Sequence, residues 1–253
     1  MSRVLRADPA VVTPLHLELM RQVGAAERDY GDLDLRLEGG TALAAYHLKH
    51  RRSEDLDFFA HHEMDARDFS AFVAERLRQE GRSVQSLRAN RGFAELLITG
   101  NEGQDPIRLE FGRTSPFELA PPDGTPEGIR VASYRDLCAG KLHAVCDRYE
   151  PKDFIDLHAI LRRPGDARTP GDKGTRGSFL DLLADLERSD PGLGPAQVGE
   201  ALARGVGHDI VGEFPLRMLV PISTKEVRET IRMAIAECAR LARERAGWSS
   251  REE

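Results

Sequence analysis

Asp55 and Asp57 stand two residues apart in the run Asp55-Leu56-Asp57-Phe58-Phe59. On a strand, residues i and i+2 point to one face, so the two carboxylates sit side by side while Leu56 and Phe58 turn to a core. Two like charges held this close repel unless a cation lies between them. Upstream, Gly39-Gly40-Thr41-Ala42-Leu43 offers a turn that runs into a helix. Glycines let the main chain approach a ligand closely, and the amides of a helix start favour a phosphate. Thr41 can add a hydroxyl. Glu110, in Leu109-Glu110-Phe111, is a third acid set between core residues. Carboxylates on neighbouring strands hold paired divalent ions, about 3.5–4 Å apart, in phosphoryl-transfer sites. The pattern points to Mg²⁺ and a nucleoside triphosphate. Each part alone also has an ordinary reading: a simple strand-to-helix turn, a solvated strand edge, and an exposed glutamate paired with an arginine.

Further residues could join this chemistry. Arg51 and Arg52 precede the acids and can pair with phosphate oxygens, or simply offset Glu54 and Asp55. Lys141 lies among Ala139, Gly140, Leu142 and Ala144. It can reach a triphosphate as a point charge or snorkel from a helix surface. Asp153 and Asp156 are spaced i, i+3 on one helical face. Asp153 suits the first turn of a helix, where the dipole favours an acid; capping does not account for Asp156. His47, His50, His61 and His62 have no zinc spacing.

Periodicity supplies the elements that must position these side chains. Helices are expected from Thr13 to about Ala26, with Thr13 as N-cap and Pro14 at the first position, and over Thr41 to Lys49 and Asp65 to Glu80. Strands are expected around Leu33–Leu37, Ser53–Phe59, Val84–Leu87, Ala94–Thr99 and Ile107–Phe111. The stretch 120–128 is rich in Pro and Gly and reads as a linker. Beyond it the pattern is helical: a start at Ser133, with Asp136 in a capping-box position, then helices over Leu137–Tyr149, Asp153–Arg162, Phe179–Glu187, Pro195–Arg204 and Thr224–Arg245. The expected fold class is α+β in two lobes, a mixed sheet with helices over residues 1–125 and a helical bundle over 126–253. Pro164 to Gly177 reads as a polar loop.

The chain has 253 residues, 40% of them apolar and 31% charged, as a soluble globular protein would. Most of the net charge of −6 falls before residue 126, and neither part is basic. Composition therefore gives no nucleic-acid footprint, although arginines cluster locally at Arg51-Arg52 and around Arg82, Arg88 and Arg91. Three cysteines, Cys138, Cys146 and Cys238, are too few and scattered for a disulfide framework. With no leader-like apolar region at the start and no run of membrane-spanning length, the expected location is the cytoplasm.

Taken together, Gly39–Leu43, His50-Arg51-x-Ser53-Glu54-Asp55-Leu56-Asp57-Phe58-Phe59 and the later KLHAVCDRYEPKDFIDL of residues 141–157 resemble the AbiEii/AbiGii toxin family of nucleotidyltransferases. The resemblance spans roughly residues 35–160, with four elements in order. It implies a nucleotidyltransferase fold of the DNA polymerase β type. It implies Mg²⁺ (two ions, with Mn²⁺ as a substitute) held by Asp55 and Asp57, with Glu110 in the place of the third acid. Gly39, Gly40, Thr41, Arg51 and Ser53 would lie by the triphosphate, and Lys141 and Asp153 would be brought from the helical lobe to the same cleft. The family includes toxins of toxin–antitoxin and phage-defence systems, some of which transfer nucleotides to the acceptor ends of tRNAs. The implied partners are an NTP, an RNA acceptor such as tRNA, and an antitoxin encoded nearby, with no membrane. Two alternatives remain at this point: transfer to a protein or small-molecule acceptor, and a catalytically idle member that acts by partner binding.

Overall fold

Helix α1 (Pro14–Tyr30) begins at a reciprocal cap. Thr13 accepts from the His16 amide, and the His16 side chain accepts from the Thr13 amide. Its stripe of Leu15, Leu19, Met20 and Val23 is buried, as the helical spacing requires. The computed structural model describes residues 3–100, 105–163, 174–207, 210 and 216–247. The chain divides into two units, Met1–Leu137 and Cys138–Glu253.

The first unit is built on a seven-stranded mixed sheet. Its strands are β1 (Leu35–Glu38), β2 (Asp55–Ala60), β3 (Ser83–Ala89), β4 (Phe93–Thr99), β5 (Ile107–Arg113), β6 (Asp123–Gly124) and β7 (Arg130–Val131). The order is β3-β4-β5-β2-β1-β7-β6. β2 lies parallel to β5 and β1 parallel to β7; the other pairs are antiparallel. The Pro/Gly-rich stretch expected as a linker lies inside this unit and supplies β6, which pairs with β7.

Alternation along β2 and β5 sorts the sheet into two faces. Leu56, Phe58, Leu109 and Phe111 are buried, while Asp55, Asp57 and Glu110 are only partly covered. Phe58 and Phe111 stack at 5.9 Å, and Phe69 of α3 (Ala66–Gln79) meets Phe111 edge-on at 5.3 Å. Burial of each such ring contributes about 1.5–3 kcal/mol. Asp65 caps α3 by accepting from the Arg67 and Asp68 amides. The apolar face is thereby anchored, and a one-residue slip of β2 would carry both aspartates into the core.

The segment after β1 departs from a plain helix. Gly39–Leu43 forms the short helix α2, and Ala44–Leu48 continues as a π turn that closes on Lys49 in the left-handed region. The wide turn ends the helix before the chain descends to β2.

The second unit is helical among the described residues. It takes most of α4 (Tyr134–Asp147), then α5 (Pro151–Arg162), α6 (Gly174–Ser189), α7 (Pro195–Val206) and α8 (Thr224–Arg245). Ser133 starts α4 as expected, with Asp136 accepting from the Ser133 hydroxyl. Pro151 occupies the first turn of α5, where its missing N–H costs nothing. Ser223 and Glu226 form a capping box on α8. The polar loop expected over 164–177 lies outside the described residues as far as 173.

Candidate active site

The register of the sheet assembles a row of acids that the sequence gives only in pieces. Asp57 on β2 lies opposite Glu110 on β5 and, on its other side, opposite Glu38 at the end of β1. Glu110 in turn lies opposite Glu95 on β4. The row Glu38–Asp57–Glu110–Glu95 therefore crosses four strands on one face, at roughly 4.8 Å per strand. Asp55 stands one step along β2, opposite Arg108.

Arg108 lies beside this row. Its guanidinium lies 2.8 Å from Glu95 and 3.8 Å from Asp55. That does not balance the charge around Glu110. Burial first, then the charges of Asp57, Asp55 and Glu95, push the Glu110 carboxyl up to about 7 against the opposing pull of Arg108. At the other end of the row, His61 Nε2 lies 3.2 Å from Glu38 Oε1.

The Gly-Gly turn is fitted to these acids. Gly39 has φ +67°, and a Cβ there would overlap the Asp57 carboxylate. Only glycine gives both the backbone conformation and the room. A Cβ on Gly40 would come within 2.6 Å of Arg51 Nη2 and 3.1 Å of Ser53 Oγ. Arg51 is 3% exposed and donates to the Arg52 carbonyl at 3.0 Å. Gly39, Gly40, Arg51, Ser53 and Asp57 thus form one cluster. Thr41 differs from expectation. It is fully buried, and its hydroxyl donates to the Asp55 carbonyl, so it ties α2 to the start of β2 and has no hydroxyl turned outwards for a phosphate.

The second unit holds its own ionic group. Lys141 Nζ lies 2.9 Å from Asp153 and 2.8 Å from Asp156, with both carboxylates fully buried. Arg148 adds a second cation to Asp153 at 3.1 Å. Lys141 itself is 6% exposed, so it neither snorkels nor stands ready on a surface. Both aspartates face Lys141 across the α4–α5 turn. The structure thus brings Asp55, Asp57 and Glu110 together in the first unit, and Lys141 with Asp153 in the second. Two acids of the row, Glu38 and Glu95, escaped sequence reading. Their signals were faint: an acid directly before Gly39, and Ala94-Glu95-Leu96 with the same alternation as Glu110.

Among the described residues, no three His, Cys, Asp or Glu side chains have closed into a metal-binding group. The donor set still suits a hard divalent ion. Asp55, Asp57 and Glu110 offer carboxylate oxygens on one face, the preference of Mg²⁺ and Mn²⁺. A cation there would favour the charged form of Glu110, which burial and then its acidic neighbours disfavour.

With this geometry in place, comparison with known proteins is informative. The sequence matches the family described as nucleotidyl transferase AbiEii toxin, type IV TA system, over residues 25–185. The chain belongs to the AbiEii family. The matched stretch contains the acid row, the Gly-Gly turn and the Lys141–Asp153–Asp156 group. An uncharacterized protein of Aquifex aeolicus, aq_aa25, is 30% identical over 133 residues, covering 52% of this chain and 60% of the relative; the aligned part is thus less than two thirds of that relative's length. The fold is similar to that of MenT4, the nucleotidyltransferase toxin Rv2826c of Mycobacterium tuberculosis. There the TM-score is 0.54 at 20% identity, covering 90% of this chain and 85% of that one. That likeness is one of fold.

Proposed function

We propose that this AbiEii chain is a divalent-metal-dependent nucleotidyltransferase, the toxin of a toxin–antitoxin pair, which transfers a nucleotide from an NTP to a hydroxyl of RNA, with the tRNA 3′ end as the acceptor. The observation that carries this reading is the register of Asp57 with Glu110, with Asp55 on the same face and the Gly39 turn pressed against Asp57.

Asp55, Asp57 and Glu110 would hold Mg²⁺ or Mn²⁺. Bound there, the metal neutralises phosphate charge and stabilises the departing pyrophosphate. The chain's own groups supply the rest. The Gly39–Gly40 main chain and Ser53 hold the phosphates, with the buried Arg51 guanidinium behind Gly40 adding positive charge and donating to the Arg52 carbonyl. Glu110 accepts the proton of the attacking hydroxyl. The hydroxyl oxygen bonds to the α-phosphorus as its bond to the pyrophosphate oxygen breaks, and pyrophosphate leaves. No covalent enzyme intermediate is needed; positioning and charge stabilisation provide the rate. These substrates place the reaction in the cytoplasm, where a cognate antitoxin encoded nearby would restrain it.

Incubating the purified protein with total RNA, Mg²⁺ and each of the four labelled NTPs tests the reading. Label is expected in RNA from at least one NTP, and is lost on chelation. Label in protein instead of RNA, or in neither with any NTP, overturns it.

A further inference from the structure

The acid row does not end at Glu95. Across the β3–β4 hairpin, Glu95 lies opposite Arg88, whose guanidinium sits 5.3 Å above the ring of Phe93. Phe93 is two residues from Glu95 and so shares its face. Opposite Phe93 is Gly112 of β5, and a Cβ there would come within 2.7 Å of the Phe59 ring. A shelf of Phe59 and Phe93 therefore runs beside the acids. Arg91 stands in the hairpin turn with its side chain 87% exposed, 3.4 Å from Asp65. Among the described residues, no carboxylate is ion-paired with Arg88.

Position along the row assigns this shelf a role. Gly39 and Arg51 lie at the Asp57 end, where the phosphates of the NTP are held under the reading above. The attacking hydroxyl must reach Glu110 from the other side, past Glu95 and Phe93. A chain with net charge −6 needs local cations to hold a polyanion there, and Arg88 and Arg91 supply them. Aromatic rings and guanidinium planes are what unpaired bases stack on.

We propose that the β3–β4 edge binds the 3′-terminal segment of a single-stranded RNA acceptor, with one base stacked on Phe93 and Arg88 and a backbone phosphate at Arg91. The inference rests on the transfer reading for the identity of the acceptor, but its test does not need turnover. Anisotropy of a fluorescent single-stranded oligoribonucleotide is measured on the full chain without NTP. Phe93→Ala and Arg88→Gln are each expected to weaken binding about tenfold, while Phe93→Tyr binds like the parent. Arg91→Gln is expected to lower the slope of log Kd against log salt by about one. If the parent does not bind RNA, or if Phe93→Ala and Arg88→Gln bind as tightly as the parent, the proposal is overturned. Arg88→Gln decides the matter if Phe93→Ala fails to fold. Under turnover, a raised KM for NTP with an unchanged KM for RNA also overturns it, because the shelf then serves the nucleotide. RNA binding lost in the variants of a chain that transfers nothing would remove the transfer reading and keep this surface.

Discussion

At the scale of single residues, Glu110 is the most informative titrating group. Its carboxyl is raised from 4.5 to about 7, first by burial and then by Asp57, Asp55 and Glu95. In the folded, metal-free chain Glu110 holds its proton where the unfolded chain has lost it. The stability this gives is fully present below about 4.5 and is lost as pH rises through about 7. The metal-free protein should therefore melt at a lower temperature at pH 8 than at pH 5.5, and Glu110→Gln should flatten that fall. Adding Mn²⁺ should raise the melting temperature most at the higher pH, where the acids are charged. A melting curve indifferent to pH in both proteins would dissociate Glu110 from the acid row. Asp55, Asp57 and Glu110 were legible in the sequence because each acid alternates with large apolar residues. Glu38 and Glu95 were not, because only the pairing of strands distant in sequence sets them beside Asp57 and Glu110. Lys141 was legible as an unusual lysine, but its partners depend on how α4 and α5 meet.

At the scale of elements, the turn between β1 and α2 carries the strictest demand. Gly39→Ala must both adopt φ +67° and displace Asp57. It should cost at least about 1–2 kcal/mol in stability, seen as a lowered denaturation midpoint, and should disable transfer. Gly140→Ala is the contrast: it lies in α4 with open space where the Cβ would go. It should be neutral or stabilise by roughly 0.5–1 kcal/mol through helix propensity. Equal effects of the two would refute the fitted turn. Thr41→Val, which removes the hydrogen bond to the Asp55 carbonyl, should cost about 0.5–1.5 kcal/mol. Amphipathic spacing made the long helices readable, α8 to its bounds. The π turn at Ala44–Leu48 was hidden, since Ala42-Leu43-Ala44-Ala45 reads as an ordinary helix and the wider turn answers to tertiary packing. β6 and β7 were hidden because two-residue strands have no period to detect.

At the scale of the molecule, the two units carry different kinds of charge. The first concentrates carboxylates on an accessible face, which costs stability and suits a cation. The second buries Lys141 with Asp153 and Asp156, and Arg148 supplies the second cation; this group holds α4 to α5. Breaking such a group is expensive because it strands buried charge, so Lys141→Met should destabilise by about 3–5 kcal/mol in chemical denaturation. Loss of transfer in that variant would then reflect lost fold unless its melting curve matches the parent's. Asp57→Ala should behave in the opposite way: it leaves the Lys141 group intact and the fold in place, while abolishing transfer. The most direct test is therefore to assay the parent and Asp57→Ala side by side, with total RNA, labelled NTP and Mg²⁺, after establishing that both melt cooperatively. The account predicts label in RNA with the parent and none above background with Asp57→Ala; equal labelling by the two proteins would contradict it.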